Sequence, residues 1–180
     1  PAPGQPTIGV LFYRAHLLAG NLDPIDRLIA ALEGHGAGVI AAYAYSLKEF
    51  DEAGEPLALR PFLTEDGTPR IDVLITTMSF ALGSAAPGDT PVAAPADLFA
   101  RLDLPVIQAV TAGTTRDLWE ASTRGLSPLD VAMNVALPEL DGRVIGPPIS
   151  FKDTPDGAGP LRYQAVPDRC ERVAALAMRF

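Results

Sequence analysis

Cysteine and long apolar runs are nearly missing from this sequence, and each absence excludes a class of protein. Cys170 is the only cysteine, so neither a disulfide within the chain nor a thiolate metal cluster can form. No stretch approaches the roughly 18 consecutive apolar residues of a membrane span, and residues 1–10 lack the basic and then apolar segments of a secretion signal. The sequence therefore predicts a cytoplasmic protein without a membrane partner.

Basic residues are also scarce, because 14 Lys and Arg stand against 22 Asp and Glu, for a formal net charge of -8. Such a chain repels phosphate backbones, so we expect no nucleic-acid partner. No GxxxxGK[ST] loop occurs in the sequence, which predicts that this chain does not itself bind ATP. The glycines of GHGAG, residues 34–38, lie between a predicted helix end and a strand, in the wrong order for a dinucleotide fingerprint.

What is present indicates one α/β domain over residues 1–180. This length is typical of a single domain, 48% of the residues are apolar, and no internal repeat occurs. The first residue is Pro1 instead of Met, which suggests a domain taken from a longer protein.

Short apolar runs alternate with helical patterns, which is typical of βαβ units feeding a parallel sheet. We expect a three-layer Rossmann-like or flavodoxin-like fold with sheet order 2-1-3-4-5, a hairpin near residues 161–166 and a closing helix over residues 167–180. The five main strands are predicted at residues 7–13, 38–45, 71–78, 104–111 and 143–151. Asp23 is a candidate cap for a helix that starts at Pro24, and residues 46–70 are interpreted as a short helix with a surface excursion.

Polar residues follow the predicted strand ends, where open α/β sheets place their ligands. Arg14, His16 and Asn21 follow the first strand, in YRAHLLAGN, and Ser79 opens a loop, residues 79–95, that should face them across a crevice. The exit of the fourth strand offers hydroxyls and backbone N–H groups suited to a carboxylate or phosphate. Its candidate residues for substrate binding are Thr111, Gly113, Thr114 and Arg116. Solvated side chains, turn formation and helix capping by Thr114 or Thr115 explain the same residues without a ligand.

Two carboxylates, Glu139 and Asp141, stand one residue apart in LPELDG. Such a pair can hold a hard cation or act as a base, so both are candidate catalytic and metal-binding residues, with His16 as a further candidate metal ligand. The alternative is an acidic surface turn. Trp119, Phe80 and Met133 offer apolar surface for a flat ligand, but such side chains more often pack in a core.

Three segments together carry a family resemblance: TIGVLFYRAHLLAGN, LDLPVIQAV and GLSPLDVAMNVALPELDGRVIGPPISFK. They resemble the CobN family of cobaltochelatase large subunits, and the last segment is also similar to the H subunit of magnesium chelatase. The resemblance extends from Thr7 to Phe180, and residues 46–70 depart from it most.

The resemblance implies a large subunit that binds the corrin precursor hydrogenobyrinic acid a,c-diamide and cobalt, the metal substrate, in aerobic cobalamin synthesis. It implies partners as well: the remainder of the subunit, an AAA+ ATPase subunit that uses ATP and magnesium, and a companion subunit. Family members are several times longer than this chain, so we expect the isolated domain to be inactive.

Metal insertion needs ligands for the ion, a base for pyrrolic protons and groups that hold the acidic side chains of the macrocycle. Glu139 and Asp141 suit the first two tasks, and Arg14, Arg116 and the turn at residues 111–115 suit the third. A magnesium chelatase domain, a small-molecule-binding domain and a module that only docks the ATPase partners remain alternatives.

Overall fold

The computed structural model describes residues 4–79, 97–100, 102–154 and 159–180. Its centre is one six-stranded sheet of order β2-β1-β3-β4-β5-β6. The first five strands in this order are mutually parallel, and β6 runs antiparallel to β5. The strands are β1 Thr7–Tyr13, β2 Gly38–Ala44, β3 Val73–Thr76, β4 Val106–Ala112, β5 Val144–Asp153 and β6 Arg162–Ala165. The predicted strand order is confirmed, and β6 is the predicted hairpin partner.

Helices cover both faces of the sheet, as the three-layer prediction requires. The α-helices are α1 Arg14–Leu18, α2 Asp23–Gly34, α3 Asp97–Ala100, α4 Arg116–Glu120, α5 Pro128–Val131, α6 Leu137–Leu140 and α7 Pro167–Ala177. A 3₁₀-helix occupies Leu57–Phe62, and a π-helical turn over Ala132–Ala136 joins α5 directly to α6. None of the helices in these ranges is long and apolar enough to cross a membrane.

One face of the sheet packs against α2 and α7. Leu28 and Leu32 of α2 and Val173 of α7 are fully buried there, because their spacing places them on one side of each helix. Cys170 lies in the same layer, and burial raises the pKa of its thiol to about 11. The single cysteine is therefore a core residue that stays protonated at neutral pH.

The other face of the sheet is covered partly by the segment that the sequence described least well. Residues 46–70 contain the 3₁₀-helix, and its Leu59 and Phe62 are almost fully buried beside Leu74 of β3. A Cβ atom on Gly9 would lie 3.0 Å from a Phe62 ring carbon and 2.7 Å from a methyl carbon of Ile71. Glycine in β1 thus allows this segment to pack closely on the sheet.

Three local predictions need correction. Helix α2 is preceded by Leu22 as its N-cap, and Asp23 is the first helical residue, whose carboxylate accepts a hydrogen bond from the Ala165 N–H at 2.6 Å. The third strand is shorter than the apolar run over residues 71–78, since only Val73–Thr76 has ladder partners. Residues 46–70 are also more than a surface excursion, because their buried side chains belong to the core.

Candidate functional site

A cluster of aromatic and polar side chains lies where β1, β4 and β5 end and β6 begins, and we call it the carboxyl-edge cluster. It comprises Tyr13, His16, Thr111, Lys152 and Tyr163. The His16 ring meets the Tyr163 ring edge-on, with centroids 5.3 Å apart, and lies 6.3 Å from the Tyr13 ring. Because α1 starts directly after β1, His16 lies at the carboxyl edge of the sheet, one helical turn beyond Tyr13, the last residue of β1.

Lys152 gives the cluster its positive charge. Its ammonium group stands 5.3 Å from the centroid of the Tyr163 ring, as in a cation–π contact. Burial, and secondarily the charge of Lys152, hold the pKa of His16 below its ordinary value. The imidazole is therefore neutral at pH 7, which is the form that binds a metal ion or accepts a proton.

Tyr163 connects the cluster to the surrounding elements. Its hydroxyl hydrogen-bonds the side chain of Thr111, and its backbone N–H donates to the Asn21 side-chain oxygen at 3.0 Å. Burial raises the pKa of the Tyr163 phenol, and the nearby Asp130 and Tyr13 raise it further. Asn21 thus acts in this structure as a tie between the α1–α2 connection and β6.

Asp130 is buried beside the cluster and organises the loop after β4. Its carboxylate accepts hydrogen bonds from the Gly113 N–H at 2.8 Å and from the Ser127 hydroxyl at 2.8 Å. The Asn134 side-chain amide approaches the same carboxylate at 3.4 Å. Gly113 was expected to offer a free N–H to an anionic ligand, but in the structure this N–H donates to the Asp130 carboxylate.

The π-helical turn accounts for the position of Asn134. A π-turn adds one residue to a helix and is frequent at functional sites, because it rotates a side chain off the regular face. Asn134 lies in the middle of the turn and is 5% exposed, although both of its neighbours are more accessible. The turn therefore directs a polar side chain into the protein.

A second polar group is centred on Arg143, whose guanidinium is buried. It donates to the Asp141 carboxylate at 2.8 Å, to the Gln108 side-chain oxygen at 2.6 Å and to the Met78 carbonyl at 2.7 Å. The centroid of the Phe99 ring lies 4.8 Å from the guanidinium carbon of Arg143. Burial lowers the pKa of Arg143, and the ion pair with Asp141 opposes that shift.

The predicted carboxylate pair lies at the opposite edge of the sheet. Helical residues 128–140 run from the carboxyl edge, where Asp130 contacts Gly113, to the start of β4. There Asp141 lines an open groove of about 580 Å³ together with Asp103, Val106 and Phe180. Glu139 is exposed, whereas the Asp141 side chain is 5% exposed and paired with Arg143. The two carboxylates therefore differ in environment.

The remaining predicted site residues lie around the carboxyl edge. Arg14 is exposed at the start of α1, and Arg116 is exposed and paired with Glu120 at 2.8 Å, which raises its pKa. Thr115, one of the two predicted caps, caps α4 through the Leu118 N–H. The buried hydroxyl of Thr114 has no hydrogen-bond partner among the described residues.

Two further predictions concern the crevice. Ser79 is partly exposed after β3. Phe80 and the rest of the loop after it, up to residue 95, lie outside the described residues. The crevice between this loop and the residues that follow β1 therefore stays a prediction. Trp119 packs on Phe151 with ring centroids 5.2 Å apart, as expected for a core residue, and Met133 is half-buried.

No group of three or more His, Cys, Asp or Glu side chains suited to a metal ion occurs within the described ranges. His16 is thus a single candidate ligand, and Glu139 and Asp141 do not converge with it. The site assignments made from the sequence stay predictions.

Sequence reasoning missed Tyr163, Lys152, Asp130 and Asn134. Lys152 and Tyr163 lie on a hairpin, where paired positions face the same side of the sheet, and their register partnership brings them together. Strand alternation could have indicated that pair. The role of Asn134 depends on a π-turn, for which the sequence carries no simple signal.

Comparison with known proteins gives a consistent result. The family model described as CobN/Magnesium Chelatase matches residues 1–180. The aerobic cobaltochelatase subunit CobN of Pseudomonas aeruginosa is 35% identical over 98% of this chain and 14% of its own length. The magnesium-chelatase subunit ChlH of Oryza sativa subsp. japonica is 33% identical over 99% of this chain and 12% of its own length.

A solved structure agrees with these relatives. The catalytic subunit of cobaltochelatase from Mycobacterium tuberculosis superimposes with a TM-score of 0.77 at 38% identity, over 99% of this chain and 15% of that one. The chain therefore spans about one seventh of the length of these proteins.

Proposed function

The chain belongs to the CobN/magnesium chelatase family, and from this premise we propose that it is the part of a cobaltochelatase large subunit that holds the tetrapyrrole substrate. The reaction is ATP-dependent insertion of cobalt into hydrogenobyrinic acid a,c-diamide, in cytoplasmic cobalamin synthesis. The observation that carries the proposal is the carboxyl-edge cluster, which combines a cation, a neutral imidazole and two aromatic rings at the ligand-binding edge of the fold.

Each part of this edge suits a part of the substrate. The Lys152 ammonium and the exposed Arg14 and Arg116 match the carboxylate side chains of a macrocycle. Tyr13 and Tyr163 offer aromatic surface to a flat ring system. His16, neutral because burial and Lys152 lower its pKa, suits transient contact with the cobalt substrate or acceptance of a pyrrolic proton.

Glu139 and Asp141 remain proposed for metal delivery or proton removal, from the other edge of the domain. Exposure leaves the Glu139 carboxylate accessible to an ion or to another part of the subunit. Asp141 has to release Arg143 before it can bind a cation, so within the pair Glu139 is the stronger candidate.

Partners and energy source are proposed with the same premise. The remainder of the large subunit supplies further substrate contacts, since this chain spans about one seventh of the relatives' length. ATP and magnesium are used by an AAA+ ATPase subunit and its companion, because this sequence contains no phosphate-binding loop.

A second candidate is a magnesium chelatase H-type domain, which the 33% identity to the rice subunit over 99% of the chain favours. The identity to the M. tuberculosis cobaltochelatase subunit is 38%, and this difference supports cobalt as the first choice. Comparing Co²⁺ and Mg²⁺ insertion by the complete subunit distinguishes the two.

The proposal is tested by titrating the chain with hydrogenobyrinic acid a,c-diamide, with and without Co²⁺, and following absorbance and Trp119 fluorescence. Trp119 contacts Phe151, which precedes Lys152 in β5 and points to the other face of the sheet, so absorbance of the macrocycle is the primary readout and Trp119 fluorescence the secondary one. We expect saturable binding with a dissociation constant on the order of micromolar, weakened about tenfold by Lys152→Met through loss of a charge-assisted contact.

Lys48→Met is the matched control, because Lys48 is the other lysine of the chain and is exposed beyond β2. Absence of binding by a folded wild-type chain would contradict the proposal and leave a docking module as the better account.

A further inference from the structure

Asp130 is a buried carboxylate that the proposed substrate contacts do not include. It is 5% exposed and lies in the first turn of α5. The Ser127 hydroxyl donates to its carboxylate at 2.8 Å and accepts from its backbone N–H at 3.1 Å. A serine cap with an acidic residue three positions later is an ordinary way to begin a helix, and it requires no partner outside that helix. Asp130 nevertheless has one.

The other carboxylate oxygen of Asp130 contacts the turn that follows β4. Gly113 donates its backbone N–H to Asp130 Oδ1 at 2.8 Å, across 17 positions of sequence. A Cβ atom on Gly113 would lie 3.2 Å from the same oxygen, so the absence of a side chain allows this close approach. Because a carboxylate is a stronger hydrogen-bond acceptor than a neutral oxygen, the contact holds the turn firmly against α5.

The turn held by Asp130 is in direct contact with Lys152. The carbonyl of Thr114, next to Gly113, accepts a hydrogen bond from the Lys152 N–H at 3.0 Å. The buried hydroxyl of Thr114 has no hydrogen-bond partner among the described residues, so the side chain of Thr114 does not itself fix the turn. The contact between Asp130 and Gly113 therefore helps to locate the carbonyl that holds Lys152.

Regular strand pairing supports Lys152 less than it supports the residues before it. The β4–β5 ladder changes register twice between Gln108 and Thr111, and its last regular pair joins Ala112 to Phe151. Lys152 lies beyond that pair, and its partner on the other side belongs to β6, a strand of four residues. The backbone of Lys152 is thus held by a short hairpin on one side and by the turn after β4 on the other.

We propose that Asp130 is a positioning residue for the substrate contact of Lys152, acting through the turn at Gly113 and Thr114, an inference that rests on the proposed function. Asp130 itself touches no ligand. With the turn fixed, the Lys152 backbone keeps the direction in which its ammonium group lies 5.3 Å from the centroid of the Tyr163 ring. A cation that is already in place loses less conformational entropy on binding a carboxylate than a cation on a mobile backbone.

The test is a double-mutant cycle on ligand binding, measured by titrating each protein with hydrogenobyrinic acid a,c-diamide. Asp130→Ala removes the acceptor and should weaken binding about three- to tenfold. The same change in a Lys152→Met background should alter the affinity by less than about twofold, because the cation that Asp130 positions is gone. Asp130→Asn keeps an oxygen that accepts from the Gly113 N–H, so its affinity should lie within about twofold of the wild type.

Asp26→Ala is the matched control, since Asp26 is an exposed acidic residue in the first turn of α2, and it should leave the affinity unchanged. Hydrogen exchange of the Gly113 amide, measured by NMR, tests the contact itself. Exchange should be faster in Asp130→Ala and close to the wild-type rate in Asp130→Asn. If thermal unfolding shows that Asp130→Ala is not folded, Gly113→Ala replaces it, because its methyl group would press on the Asp130 carboxylate.

Equal losses of affinity from Asp130→Ala with and without Lys152 would overturn the proposal and leave Asp130 with a structural role alone. An affinity in Asp130→Asn as low as that in Asp130→Ala, or no loss in either, would also overturn it. In each of these cases the proposed function stands, because the wild type still binds the macrocycle. Absence of binding by the folded wild type would instead remove the proposed function and this inference together.

Discussion

His16 and Lys152 illustrate how much the environment of single residues decides at the carboxyl edge. Burial and, secondarily, the neighbouring ammonium group of Lys152 hold the pKa of His16 below its ordinary value. The sequence indicated His16 as a candidate because it follows a strand, and the structure places its ring beside those of Tyr13 and Tyr163. It did not indicate Lys152, because that residue becomes its neighbour only through the fold of the β5–β6 hairpin.

Replacing Lys152 with Met should raise the pKa of His16. The ammonium charge lowers this pKa, so its removal shifts the value upward, but burial is the larger cause and remains, so the value stays below that of a free histidine. The measurement is a pH titration of the His16 ring protons by NMR. Lys48→Met serves as control and should leave the titration unchanged; an unchanged pKa in Lys152→Met would show that the charge does not act on His16.

Replacing Arg143 with Met should destabilise the protein by about 3–5 kcal/mol, because it leaves the buried Asp141 carboxylate without its cation. Adding Asp141→Asn should recover part of the loss. Arg172→Met is the matched control, since Arg172 and Asp168 form an exposed pair at 3.7 Å that contributes about 0–1 kcal/mol. Chemical denaturation measures all four proteins. Equal effects of the two Arg variants would rule out a structural role for the buried ion pair.

At the scale of elements, periodicity predicted most of the strands and helices, and tertiary contacts determined what it missed. The apolar runs of β1 and β4 and the spacing in α2 were sufficient to locate them. Residues 46–70 gave no clear pattern, because an isolated 3₁₀-turn obtains its stability from burying Leu59 and Phe62 instead of from local propensity. The π-turn was likewise unpredictable, since its spacing differs from that of a regular helix.

Gly9 tests whether this segment packs as tightly as described. Gly9→Ala should cost about 1–3 kcal/mol of stability, because the new methyl group would lie 2.7 Å from Ile71 and 3.0 Å from Leu74 and Phe62. Gly34→Ala provides the comparison: nothing lies within 4 Å of its Cβ position at the end of α2, so it should be neutral or stabilising by up to about 1 kcal/mol. Thermal unfolding gives both values. A neutral Gly9→Ala would mean that the 3₁₀-helix does not press on β1.

At the scale of the whole molecule, the two ends of the sheet have different chemistry. The carboxyl edge holds the cation, the imidazole and the aromatic rings, whereas the amino edge holds the groove with Asp103 and Asp141, near the exposed Glu139. The strand order could be predicted because crossover handedness and sheet topology leave few alternatives. The separation of Glu139 from His16 could not be predicted from the sequence, because it depends on the length and direction of helical residues 128–140.

This separation leads to the central claim, that the carboxyl-edge cluster holds the macrocycle. Its most direct test is cobalt insertion by a reconstituted chelatase whose large subunit carries Lys152→Met, measured with the assembly of the complex. The account predicts a Michaelis constant for the corrin substrate about tenfold higher, with unchanged association of the ATPase partners and an unchanged Michaelis constant in Lys48→Met. An unchanged constant in Lys152→Met, or loss of assembly with normal corrin affinity, would contradict the claim.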